Sequence, residues 1–102
     1  MKVFLSPIGV AAVLFSSAAW AADARNGEAL AKRWCAACHV VASDQRGPAS
    51  EALSFASVAK RPDFDAHRLA YFLLNPHPKM PDMGLSRSAA EDLAAYIAAQ
   101  AK

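Results

Sequence analysis

Cys35-Ala36-Ala37-Cys38-His39 is the stretch of sequence that decides the fold. Two cysteines separated by two residues and followed at once by histidine form the pattern of a covalent haem attachment site. The two thiols can reach the two vinyl groups on one edge of a porphyrin. The histidine then falls under the ring, with an imidazole nitrogen aimed at iron. The motif predicts a haem bound through Cys35 and Cys38, with His39 as one axial ligand.

Two other interpretations of the cysteine pair remain open. Cys35 and Cys38 are the only cysteines in the chain. A redox-active dithiol of the thioredoxin kind expects a strand–helix–strand pattern nearby, and that pattern is missing. A zinc site needs about four ligands, and no second pair of Cys or His residues has suitable spacing. The haem interpretation is favoured over both.

The beginning of the chain has the pattern of a secretory signal. A short basic start at Met1-Lys2 precedes a mostly apolar run over residues 3–15, and small residues then end in Ala19-Trp20-Ala21. We expect cleavage after Ala21 or Ala22 and export to the periplasm. An uncleaved membrane anchor is the alternative, but a proline and a glycine interrupt the helical pattern of the apolar run.

The remaining residues, 22–102, are enough for one small domain. A chain of this size has a marginal apolar core, which a buried haem would supplement. The formal net charge of the whole chain is +2, and loss of Lys2 with the signal lowers it further. Nothing in this balance indicates nucleic-acid binding. We expect a monomer without stable membrane insertion after cleavage.

The periodicity of the sequence predicts helices and no strands. Strong helix formers or a helical apolar spacing mark three main helices, over residues 24–34, 66–74 and 89–99. Asp23 is placed to cap the first helix, and Ser88 with Glu91 has the capping-box spacing for the last. A short helical piece is expected within residues 51–59. The fold class is therefore all-α.

A proline-rich loop supplies the candidate for the second axial ligand. Residues 75–81 read Asn-Pro-His-Pro-Lys-Met-Pro, and three prolines in this space exclude regular structure. Met80 in this loop offers a thioether, which favours Fe(II) and raises the reduction potential relative to two histidines. Met83, His67 and His77 are the alternative ligands.

The chain resembles a small single-haem class I cytochrome c of the bacterial kind, over nearly all of its mature length. Gly27 lies eight positions before Cys35, as in the first helix of that family. The family's last-helix signature resembles residues 92–97, Asp-Leu-Ala-Ala-Tyr-Ile, and its sixth-ligand loop resembles residues 76–86. The resemblance implies a cytochrome c fold, three main helices and short helical turns wrapped around one covalent haem c.

The resemblance also implies roles for single residues. Cys35 and Cys38 would form the thioether attachments, and His39 and Met80 would be the axial ligands. The carbonyl of Pro48, in the Gly-Pro pair after the motif, would accept the N–H of the proximal histidine. That bond would fix the imidazole ring and increase its basicity.

Further expectations concern the core. Gly27 would let the first helix cross closely against Leu93 and Tyr96 of the last. Residues 49–61 match the family poorly, so they assign no propionate contacts. The predicted haem-pocket or core side chains are Trp34, Phe55, Phe64, Leu69, Phe72, Leu73 and Leu85.

The function implied by the resemblance is electron transfer between redox partner proteins, with no substrate. Lys32, Arg33 and Lys79 could frame the exposed haem edge and meet an acidic partner surface. Two alternatives remain. One is a haem subunit of a larger dehydrogenase or oxidase complex. The other is a haem enzyme or sensor with a displaceable sixth ligand.

Overall fold

The computed structural model describes residue 9 and residues 21–47, 52–76 and 79–102. Within these ranges the chain forms helices and no β-strand. The helices are α1 (Ala24–Trp34), α2 (Phe55–Ala59), α3 (Ala66–Leu74) and α4 (Arg87–Ala99). The all-α prediction is confirmed, and α1 and α3 have the predicted bounds. Most of the predicted signal lies outside the described residues.

Carboxylate caps begin α1 and α3. Asp23 accepts hydrogen bonds from the backbone N–H groups of Arg25 and Asn26, at 3.0 and 3.2 Å. Asp65 accepts one from the N–H of Arg68 at 3.0 Å. Each carboxylate satisfies donors that the first turn of a helix leaves without intrahelical partners. Short sequence signals therefore set where these two helices begin.

The start of α4 differs from the prediction. Ser86, not Ser88, is the N-cap, and its hydroxyl accepts from the N–H of Ala89 at 3.1 Å. The N–H of Ala90 donates to the carbonyl of Ser86 at 3.0 Å, so helical hydrogen bonding already begins there. The expected capping box at Ser88 and Glu91 is wrong, because the earlier serine gives the helix an additional half-turn.

The short helix α2 is also smaller than expected. It begins at Phe55, after Ser54 accepts from the N–H of Ser57 at 3.1 Å. Residues 52–54 are not helical, and residue 51 lies outside the described residues. A hydroxyl cap just before the aromatic residue explains this late start.

Helix α4 is the centre of the molecule and packs against α1, α2 and α3. Its buried face consists of Ala90, Leu93, Ala94, Tyr96 and Ile97. Every other helix therefore takes its position from this one surface. None of the helices in the described ranges is both long and apolar enough to cross a bilayer.

The crossing of α1 and α4 requires a glycine. A Cβ atom on Gly27 would lie 2.0 Å from the carbonyl oxygen of Asp92 and 2.8 Å from the Cβ of Tyr96. The same crossing is held by the carboxylate of Asp92, which accepts from the N–H of Asp23 at 2.7 Å and from the amide of Asn26 at 2.8 Å. The close approach places the end of α1, and the motif that follows it, at a defined position.

Candidate haem site

The cysteine–histidine motif forms a tight turn directly after α1. Cys35 is the C-cap of that helix, and its N–H still bonds to Ala31 at 2.9 Å. The N–H groups of Cys38 and His39 both donate to the carbonyl of Cys35, at 3.1 and 2.9 Å. This turn brings Cys35, Cys38 and His39 to the wall of one cavity.

The cavity has a volume of about 840 Å³ and an apolar lining. Residues from every helix and from the loop before α4 contribute to it. Its principal lining residues, besides the motif, are Trp34, Leu53, Phe55, Val58, Arg61, Leu69, Phe72, Leu73, Lys79, Met80, Met83, Leu93 and Ile97. The volume lies in the range of cofactor sites.

The imidazole of His39 is held by a carbonyl group. Its Nδ1 lies 2.5 Å from the carbonyl oxygen of Leu53. A carbonyl oxygen can only accept, so Nδ1 carries the hydrogen, and Nε2 of a neutral ring keeps a lone pair for a metal. The His39 ring also lies 5.5 Å from that of Phe55, centroid to centroid. Pro48 is outside the described residues, so its role stays a prediction.

Gln45 holds the segment around the motif in place, and no sequence pattern singles it out. Its side-chain oxygen accepts from the N–H of Val41 at 2.8 Å. Its amide nitrogen donates to the carbonyls of His39 and Ala36, at 2.8 and 3.2 Å. A glutamine in a polar loop is usually solvated, so only the folded geometry reveals this role.

Two longer-range hydrogen bonds attach the same segment to the rest of the fold. The hydroxyl of Tyr96 donates to the carbonyl of Val41 at 2.7 Å, in a buried position. The N–H of Phe55 donates to the carbonyl of Val40 at 2.9 Å. The proximal side of the cavity is thus braced from both α4 and α2.

The chemistry of the cysteines differs from that of a redox dithiol. Burial of the Cys35 thiol raises its pKa to about 11, and the nearby Cys38 makes a smaller contribution in the same direction. Reactive Cys-x-x-Cys pairs have lowered pKa values, often at a helix N-terminus, whereas Cys35 ends a helix. Among the described residues, no group of three His, Cys, Asp or Glu side chains is placed to hold a metal ion. Neither the dithiol nor the zinc interpretation gains support.

Two candidate sixth ligands reach the cavity. Met80 and Met83 both line it, and both are partly buried. His67 is exposed on α3 and is not a lining residue. His77 lies outside the described residues. Among the candidate sixth ligands in the described residues, only the two methionines line the cavity.

The cavity fits a large apolar group that carries carboxylates. Of the described lining residues, only Arg61 and Lys79 carry a permanent positive charge, and none carries a carboxylate. Haem has an apolar ring and two propionates, which match an apolar wall with two cations. Arg61 comes from the segment to which the sequence assigned no propionate contact.

The predicted pocket and core side chains divide between these two roles. Phe55 and Leu73 are buried and also line the cavity. Leu69, which is partly buried, and Phe72, which is 37% exposed, line it as well. Trp34 lines the cavity but remains 51% exposed. Phe64 and Leu85 are partly buried against the core.

A helical fold around such a cavity, with a Cys-x-x-Cys-His turn in its wall, defines a c-type cytochrome, an electron carrier with covalently bound haem c. Residues 22–97 match the family described as cytochrome c oxidase, cbb3-type, subunit III, and the chain belongs to this family. It is 62% identical over 82 residues to cytochrome c-552 of Bradyrhizobium diazoefficiens, which covers 80% of this chain and 79% of that relative. No solved structure matches the chain. The predicted family and cofactor are confirmed.

Proposed function

We propose that this chain is a periplasmic single-haem electron carrier, with residues 1–21 as its signal and 22–102 as one monomeric domain. Cys35 and Cys38 form the thioether attachments, and His39 and Met80 are the axial ligands. The bound haem supplies one-electron exchange between Fe(II) and Fe(III). The observation that carries the proposal is the convergence of these four side chains on one apolar cavity.

Leu53 orients the proximal histidine in this proposal. Its carbonyl accepts the Nδ1 hydrogen of His39, which fixes the tautomer and increases the basicity of Nε2. The carbonyl of Pro48, which the resemblance predicts as the acceptor, is the alternative partner of this hydrogen, and Pro48 lies outside the described residues.

The walls of the cavity control water and charge. Leu73, Leu93 and Ile97 are buried apolar side chains that line the cavity. They would exclude water from a bound haem, and this exclusion would favour its reduced state. Arg61 and Lys79, the two cations of the cavity lining, would pair with the two propionates. Such pairing would offset the cost of holding carboxylates beside an apolar site.

Docking of an acidic redox partner depends mainly on Arg33 and Trp34. Lys32 is paired with Glu28 at 2.7 Å, and this hydrogen bond raises the pKa of the Lys32 ammonium. The guanidinium of Arg33 lies 5.7 Å from the centroid of the Trp34 ring, which itself lines the cavity. An exposed arginine and tryptophan at a cofactor rim are residue types that dominate protein interfaces.

The optical spectrum of the exported protein tests the proposal. We expect sharp reduced-haem bands, the weak far-red band of ferric Met ligation, and a mass that shows one haem on a chain lacking residues 1–21 or 1–22. The double variant C35S/C38S should carry no covalent haem. Rapid binding of carbon monoxide or cyanide without unfolding would instead indicate an open sixth position and a catalytic or sensing haem.

A second candidate function is that of a subunit in a larger respiratory complex. The description of the matching family, an oxidase subunit, favours it. Fractionation of cells that produce a tagged protein separates the two. A carrier should elute from the periplasmic fraction at the size of a monomer, whereas a subunit should remain with a membrane complex after mild detergent extraction.

A further inference from the structure

Two methionine side chains share the cavity, although one axial position is left for them. Met80 and Met83 are three positions apart, and both line the cavity that contains His39. Met80 packs against the buried core, whereas Met83 is partly buried but is not among the core-packed side chains of the described residues. Met83 is therefore less tied to the core than Met80.

The backbone between the two methionines and α4 is a turn and not a helix. The carboxylate of Asp82 accepts from the N–H of Gly84 at 2.9 Å. Gly84 has a φ of 62°, which glycine adopts without strain. Because residues 81–85 lie outside any helix, Met83 can shift without breaking helical hydrogen bonds. Its three rotatable side-chain bonds add further reach.

We propose that Met83 is a reserve axial ligand, which binds the haem iron when Met80 does not occupy the sixth position. The inference rests on the proposed function, because it requires a haem held by His39. Met83 offers the same thioether donor as Met80. Tethered at the same cavity, it is present at a high effective concentration and competes with water or a small exogenous ligand for the vacant position.

The test compares haem-loaded M80A, M83L and M80A/M83L with the wild type. Alanine at position 80 leaves room for Met83 to approach, and leucine at position 83 keeps the volume but removes the sulfur. We expect the far-red ferric band to persist in M80A and in M83L, and to vanish only in the double variant. Circular dichroism establishes that each variant is folded.

Other patterns of the far-red band lead to different conclusions about which methionine binds iron. Loss of the band in M80A, with the band retained in M83L, overturns the reserve role and leaves ligation by Met80 standing. Loss of the band in both single variants also overturns the reserve role, because Met83 then does not replace Met80. Loss in M83L alone makes Met83 the principal ligand, which overturns both the reserve role and the proposed ligation by Met80. A band in all three variants, or none in the wild type, overturns thioether ligation altogether.

Cyanide binding to the ferric protein provides a second measurement, made in the absence of Met80. If Met83 occupies iron in about two-thirds of the M80A molecules, only about one-third is open to cyanide, and M80A/M83L should bind cyanide about threefold more tightly than M80A. The control M80A/D82A loosens the turn by removing the bond to Gly84 but keeps the sulfur of Met83, and should differ less from M80A. Equal affinities in M80A and M80A/M83L would overturn the proposal.

Discussion

At the residue scale, one buried hydroxyl joins α4 to the segment after the haem motif. We expect Y96F to lower the free energy of unfolding by about 1–3 kcal/mol, because it leaves the carbonyl of Val41 buried without its donor. Urea denaturation of the haem-loaded protein measures this loss. The matched control is Y71F, since Tyr71 is 71% exposed and should change stability by less than about 0.5 kcal/mol. Equal effects of the two variants would contradict the argument.

Single residues also show how much of the site could be predicted from sequence. Cys35, Cys38 and His39 form a contiguous motif whose chemistry depends on spacing alone, and the cavity contains all three together with Met80. The carbonyl of Leu53 has no sequence signature, because every residue carries one. Long-range folding decides which carbonyl reaches an imidazole, and spacing within the chain could not identify it.

At the element scale, the crossing of α1 and α4 depends on the absence of a side chain. G27A would place a Cβ against the backbone of Asp92, so we expect a loss of about 1–3 kcal/mol in the free energy of unfolding. The control is G47A, because nothing lies within 4 Å of a Cβ at that position. Urea midpoints of the two haem-loaded variants give the comparison. A G27A protein as stable as G47A would show that the helices cross less closely.

The caps of α3 and α4 differ in their response to pH. The N–H of Arg68 holds the pKa of the Asp65 carboxyl below its ordinary value of 3.8. A lowered pKa in the folded state stabilises the protein above that ordinary value, and the stabilisation is lost as the pH falls through the folded-state pKa. We expect the stability difference between wild type and D65N to shrink as the pH falls from about 6 to about 3.

S86A provides the control for this prediction. The hydroxyl of Ser86 caps α4 but does not titrate, so its removal should cost about 1 kcal/mol at both pH values. Urea denaturation at each pH measures both variants. A D65N difference that stays constant with pH would mean that the carboxylate charge does not contribute to the cap.

Helix bounds were predictable where one signal dominated. Asp23 is the predicted cap before a strong helical segment, and α1 begins directly after it. Helix α3 also has its predicted bounds, with Asp65 as its N-cap. Before α4 two serines compete, and the sequence alone does not rank them. Ser86 is the cap in the structure, because the N–H of Ala90 donates to its carbonyl and so makes the first helical hydrogen bond.

At the scale of the whole molecule, the charge around the cavity rim should govern encounters with other redox agents. R33E replaces a cation next to Trp34, and we expect oxidation of the reduced protein by ferricyanide, an anion, to slow by a few-fold at low ionic strength. Stopped-flow rates measure this effect, which should diminish with added salt.

The control for R33E is K102E, which changes the net charge equally at a residue that does not line the cavity. Oxidation of this variant should slow less than that of R33E. If the oxidation of the two variants slows equally, the net charge of the protein governs the encounter, and the position of Arg33 beside Trp34 does not matter.

Because Trp34 lines the cavity, its fluorescence should report whether the haem-loaded protein is folded. The sequence holds two tryptophans, and loss of residues 1–21 would leave Trp34 as the only indole. Its emission should be quenched by resonance energy transfer to the porphyrin while the chain is folded around it. Denaturation would increase the distance between the indole and the porphyrin and restore the tryptophan emission. Global unfolding can therefore be followed by fluorescence without an added label.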